Sequence, residues 1–173
     1  TGALLPIAAQ NFGARQLERV RLALLTCWKF GWVFMFVACP LLYFSAPLLM
    51  RSFTSDRAVI DIGVSYLRVD VFLLPIYMML FAINSFLQAL KKPIWTLLIG
   101  IYRQAFGVAF FSFVFVHIWG FGVVGVWYGI ATSVLTGMIL SLFIANQVAL
   151  PLVGGIFSGQ ETRKANISNN HPI

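Results

Sequence analysis

The stretch from Gln104 to Gln160, QAFGVAFFSFVFVHIWGFGVVGVWYGIATSVLTGMILSLFIANQVALPLVGGIFSGQ, contains no Asp, Glu, Lys or Arg. One helical crossing of a bilayer takes about 20 apolar residues, so a run this long has to turn back on itself once. Gly120-Phe121-Gly122 supplies the turn, which separates a span over Ile94 to Ile118 from another over Val123 to Val148. Working outward, Val71 to Leu90 and Phe30 to Met50 are likewise uncharged and long enough to cross. Ala3 to Ala9 is too short to span and is expected to be the end of a helix that begins upstream, which makes the chain a fragment. The expected fold class is an all-α polytopic membrane bundle: four full transmembrane helices plus the end of a fifth.

Composition supports this. Of 173 residues, 60% are hydrophobic and 10% charged, with 17 Phe and 5 Trp; soluble domains run at about 45 to 50% apolar and about 25% charged. A core of this chain length cannot hide that much apolar surface from water, so a soluble domain is excluded and membrane lipid is an expected partner. The net charge of +7 would suggest nucleic acid in a soluble protein. Here the cations sit between apolar runs and read as topology signals instead, so no nucleic-acid partner is expected. Cys27 and Cys39 are 12 apart in one run, roughly 18 Å along a helix, too far to pair. No His or Cys cluster has metal-ligand spacing, so no metal is expected.

Between the spans, Asn11 to Lys29 carries Arg15, Arg19, Arg21 and Lys29, with Leu17, Val20 and Leu24 at helical spacing; this reads as a short amphipathic helix at the interface. The next connection, Arg51 to Asp70, balances three Arg against three Asp, and Lys91-Lys92 marks the third. Counting Arg163 and Lys164 in the tail, one side collects eight cations and the other three. The positive-inside rule makes the eight-cation side cytoplasmic, with both ends of the chain there. Pro151, Gly154, Gly155 and Gly159 should stop the last helix, leaving 149–173 as a loose cytoplasmic tail after a membrane lobe over 1–148.

Polar residues inside the spans are the candidates for function. Arg103 lies nine residues into its span, about 14 Å deep, where an Arg costs roughly 2.5–3.5 kcal/mol and so should face protein or water. Thr96, Gly100, Gln104 and Gly107 should share its face. Arg103 then either lines a cavity or braces helices through backbone carbonyls. On the preceding span Asp70, Tyr77 and Asn84 recur every seven residues and Gln88 follows one turn later, a polar stripe suited to a water-filled pathway. Pro75 removes a backbone hydrogen bond within it. Asp70 could alternatively sit at the outer interface, paired with Arg68 or Arg57. Gly125, Gly129, Ser133, Gly137 and Ser141 repeat every four residues, spacing that lets helix backbones approach closely. Paired carboxylates, a nucleophile with its base and a phosphate-cradling loop are all missing, so no enzyme is expected; His117, beside Trp119, reads as an interfacial side chain.

At Gln10-Asn11-Phe12-Gly13-Ala14-Arg15 with Glu18-Arg19 the chain resembles the multidrug and toxic compound extrusion (MATE) transporters. Phe53-Thr54-Ser55-Asp56, Leu90-Lys91-Lys92-Pro93 and Gly122 to Ala131 extend the resemblance in the same order. It implies family-motif roles for Gln10, Asn11, Gly13 and Ala14, and a place for the chain in the C-terminal lobe of a two-lobed exporter. The partners implied are an N-terminal lobe of the same protein and small amphipathic, cationic substrates. The implied activity is antiport by alternating access in the bacterial inner membrane, coupled to sodium or protons, with no other cofactor. Some sodium-coupled members carry an Asp within the helix matching Val71 to Leu90; this chain has Tyr77 and Asn84 there. Two other readings remain: a flippase for lipid-linked saccharides, which would call for more cavity cations than Arg103, and a non-transporting scaffold, which would need no polar stripe.

Overall fold

The computed structural model describes residues 2–153 and Ile156. Among the described residues five helices follow one another: α1 (Leu4–Gly13), α2 (Leu17–Phe53), α3 (Arg57–Ala89), α4 (Pro93–Ile118) and α5 (Gly122–Val153). The last four are long and apolar enough to cross a membrane.

The turns explain the helix ends. After α1, Arg15 takes a left-handed conformation (φ 58°), the Arg15 N–H donates to the Phe12 carbonyl and the Gln16 N–H to that of Asn11. After α3, Lys91 repeats it (φ 58°), with the Lys91 N–H on Gln88 and the Lys92 N–H on Leu87. Both are Schellman terminations, in which a left-handed residue lets two N–H groups satisfy carbonyls the helix would leave bare. Pro93 then opens α4 at a position where its missing N–H is not needed. Between α2 and α3 only three residues intervene, because the Asp56 carboxylate accepts from the Ala58 N–H at 2.9 Å and caps α3. Gly120 (φ 68°) and Gly122 (φ 56°) make the α4–α5 turn.

Two expectations are corrected. Leu17 to Lys29 is no separate interfacial helix: it is the first three turns of the 37-residue α2, which runs unbroken into the span and on through Pro40 and Pro47. The apolar stripe read there is real, but Val20 and Leu24 are fully buried against other helices rather than lying on a bilayer surface. Likewise, helix α5 continues through Pro151 to Val153. Just beyond it Ile156, within the stretch expected to be loose, is fully buried. Its N–H donates to Asn146 Oδ1 (3.2 Å) and its carbonyl accepts from Arg21 Nε (2.5 Å). Residues 157–173, the rest of the expected tail, lie outside the described residues.

α2 packs along α3, α3 against α5, and α4 along α5. The core gathers toward the Lys91-Lys92 end, where Leu24, Ile83, Phe86, Leu87, Ile99 and Val134 are buried. Elsewhere large side chains point outward, among them Phe34, Phe36, Phe44, Phe72 and Phe143. In water that surface would be prohibitive; in lipid it costs nothing.

Candidate functional site

The small residues of α5 set the geometry of the site. Gly125, Gly129, Ser133, Gly137 and Ser141 are all buried, and Ala145 and Ala149 carry the same four-residue seam further. A Cβ on Gly125 would stand 3.0 Å from the Phe115 carbonyl carbon, and one on Gly129 would stand 2.6 Å from the N and Cα of Ser112. The two backbones are therefore in contact along the seam, as close small-residue packing in lipid requires.

Helix α4 is not a regular α-helix. It winds as a π-helix over Tyr102–Gly107 and again over Val114–Ile118, with a regular turn and a half between. Such wider turns are rare and concentrate at functional sites. The first contains Arg103. Here the Ser133 hydroxyl of α5, completely buried, donates to the Arg103 carbonyl at 2.6 Å. Gly107 lies directly over that hydroxyl, so that any Cβ there would overlap Ser133 Oγ. The Arg103 stem crosses Gly137, where a Cβ would come within 3.2 Å of its Cδ. Its guanidinium carbon then lies 5.4 Å from the centroid of the Tyr77 ring on α3. A cation over an aromatic face in a desolvated setting contributes about 0.5–2 kcal/mol, a partial offset to the cost of its depth.

Two sequence candidates from different helices, Arg103 and Tyr77, are thus brought together. Asp70 is half-buried, two turns before Tyr77 on α3. The alternative pairing of Asp70 with Arg68 or Arg57 is not seen among the described residues; the Arg68 guanidinium turns instead to α2 and lies 5.0 Å from the Tyr43 ring. Asn84 sits on the α3–α4 contact, where Thr96 Oγ1 donates to its carbonyl at 3.4 Å. Its side-chain Oδ1 is buried with no partner among the described residues. An acceptor left so costs about 1–3 kcal/mol, which packing alone would not favour. Gln88 is exposed, one turn beyond. Gln104 is also exposed: with more residues per turn in the π segment it rotates away from the face that Gly107 and Arg103 share.

Pro75 has a clear local effect. Lacking an N–H, it leaves the Val71 carbonyl without its helical donor, and the Cys39 thiol of α2 takes that place at 3.5 Å. Cys27 and Cys39 are both free thiols. His117 is exposed, its ring tilted by 40° against that of Phe113 with centroids 4.9 Å apart, while Trp119 packs on Phe115. Of the motif residues, Gln10 and Asn11 offer the carbonyls that close the α1 turn, and Asn11 Nδ2 also donates to the Ile7 carbonyl at 2.8 Å. Ala14 is the helix cap, its N–H bonded to Gln10. A Cβ on Gly13 would meet nothing within 4 Å, so packing within this chain does not demand glycine there. Among the described residues no group of three or more His, Cys, Asp or Glu could hold a metal ion.

The comparisons with known proteins agree with this architecture. The MatE family model matches residues 1–114. A solved structure described as the inward-facing conformation of a multidrug resistance MATE family transporter of the MOP superfamily superposes with a TM-score of 0.81 at 21% identity. The match covers 87% of this chain and 35% of that one. No curated protein matches. The chain therefore belongs to the MatE family, a family of transporters and not of enzymes, and it is a multi-pass membrane protein with the fold of part of such a transporter. It spans about a third of the length of the solved transporter it matches.

Proposed function

We propose that this chain forms part of the C-terminal lobe of a secondary active exporter. Such an exporter moves amphipathic compounds out of the cell by alternating access, in exchange for inward-moving sodium ions or protons. The lobe works in the cell membrane against an N-terminal lobe of the same protein, with the Lys91-Lys92 turn and both ends of the chain on the cytoplasmic side. The observation that carries this reading is the contact between Arg103 of α4 and Tyr77 of α3 deep within apolar spans. A scaffold has no use for a charge maintained at that depth, whereas a transport pathway does. Asp70, Tyr77, Asn84 and Arg103 form its polar wall, with Gln88 and Gln104 at exposed positions along the same two helices.

The test is export of a fluorescent cation such as ethidium from cells or vesicles carrying the whole transporter, driven in turn by a sodium and a proton gradient. Arg103→Ala should abolish export at unchanged abundance. Full export by that variant at matched expression would remove Arg103 from the mechanism, and no gradient-dependent export by the unaltered protein would overturn the reading as a whole.

A further inference from the structure

Resting on the transport reading, we propose that the outer halves of α2 and α3, with the turn between them, form a hinged flap that opens and closes the outer mouth of the lobe. The joint lies where both helices lack backbone donors at one level. Pro40 and Pro47 take away the N–H groups that the Phe36 and Tyr43 carbonyls of α2 would use, and Pro75 does the same to Val71 of α3. The Cys39 thiol bonds the Val71 carbonyl at 3.5 Å, so the two weakened stretches stand side by side. Helices bend sharply at such places and rarely elsewhere.

Packing divides at the same level. On the Lys91-Lys92 side Leu24, Trp28, Leu80, Ile83, Phe86 and Leu87 are buried in the core, whereas among the described residues from Pro40 to Asp70 only Ala46 is buried. A segment with so few buried contacts opens at low cost. It moves as one piece, because its two helices are tied to each other. Met50 of α2 seats on Gly63 of α3, where any Cβ would overlap the Met50 Cε. The Arg68 guanidinium lies 5.0 Å from the Tyr43 ring, and Tyr43 packs against Phe72 with centroids 6.0 Å apart. Beyond the joint Met78 seats on Gly31 in the same way, which confines bending to the stretch between the two methionine contacts. Toward α5 the flap meets Trp127, whose ring centroid lies 6.1 Å from that of Tyr66, a contact that parts without breaking a hydrogen bond.

Phe53, the end of α2, lies about 20 Å beyond Pro40 by helical rise, so a change of about 20° in the bend carries it about 7 Å. The experiment measures distances between nitroxides at Ser55 and Val123 by double electron–electron resonance, in the whole transporter, with the labels introduced on ketone-bearing amino acids so that both native thiols stay. These distances should fall into two populations separated by roughly that shift, in proportions that change between sodium-free, sodium-loaded and acidic buffers. A pair at Lys29 and Lys92, beyond the joint, should keep a single distance. Pro40→Ala, Pro47→Ala and Pro75→Ala combined restore the missing donors; they should collapse the first pair to one population and lower ethidium export at unchanged abundance. One unchanging distance between positions 55 and 123 in a protein that exports ethidium would overturn the flap and leave the transport reading intact, since the lobe would then move as a rigid whole. Two populations that persist in the triple alanine variant would overturn the joint. Two exchanging populations in a protein that exports no ethidium under either gradient would overturn the transport reading and leave the hinge.

Discussion

The hydroxyl of Ser133 and the carbonyl of Arg103, 30 residues apart in sequence, are joined by a 2.6 Å hydrogen bond across the α4–α5 contact. Both helices depend on it. Ser133→Ala should destabilise the folded protein by about 1–3 kcal/mol, the usual effect of leaving a buried group unpaired. Thermal denaturation in detergent would measure it. Gly107→Ala should do at least as much by displacing the same hydroxyl, and the two changes combined should cost less than their sum, because each breaks the same contact.

The seam of small residues makes a ranked prediction. A Cβ on Gly129 meets the backbone of Ser112, which cannot move aside, whereas one on Gly137 meets the flexible stem of Arg103. Gly129→Ala should therefore reduce the amount of folded protein more than Gly137→Ala does. Gly137→Leu, which fills the channel of the Arg stem, should be as harmful as the former. Detergent-extracted yield, followed by size-exclusion chromatography, would show the order.

Arg15 and Lys91 both occupy left-handed positions where glycine would be free of strain. Lys91→Gly should raise thermal stability by up to about 1 kcal/mol, since a side chain at such a φ costs about that much. The same change removes one of the cations that orient the chain. Insertion assays should then show less uniform orientation even as the folded protein becomes more stable. No gain in melting temperature would argue that the Lys91 side chain stabilises the turn by some other contact.

Topology provides a fourth check. Asp56 caps one end of α3 and Lys92 follows the other, so a cysteine at each should be labelled from opposite faces of the membrane, Lys92 from the cytoplasm. Labelling of both from one face would rule out α3 as a complete crossing.

What the sequence disclosed and what it did not divide along physical lines. Four crossings, the Gly120–Gly122 turn and the buried seam were legible because hydropathy, glycine conformation and small-residue spacing are local properties. The continuity of α2 through Leu17 to Lys29 was not, since clustered cations look the same whether a helix lies on a membrane or projects from it. The meeting of Arg103 with Tyr77 depends on the rotation of α4 relative to α3, and the π turns set that rotation. No residue pattern announces a π turn, and for that reason Gln104, placed beside Arg103 by regular helical arithmetic, turns out exposed. Ser133 was visible only as one small residue among several. Its being a hydroxyl between two glycines, at the level of Arg103, was the available signal. The bonds from Arg21 and Asn146 to Ile156 had no such signal, because a chain reversal after a helix is decided by tertiary contacts.

The bond between the Cys39 thiol and the Val71 carbonyl bears on how such experiments are built. Site-directed labelling begins by stripping a protein of its own cysteines, with alanine as the usual replacement. At Cys27 alanine removes a side chain for which no hydrogen bond is seen among the described residues. At Cys39 it would leave the carbonyl exposed by Pro75 without a donor on the face where α2 meets α3, so the background itself would be impaired before any probe was introduced. Serine retains a donor at nearly the same reach and is the replacement to use there.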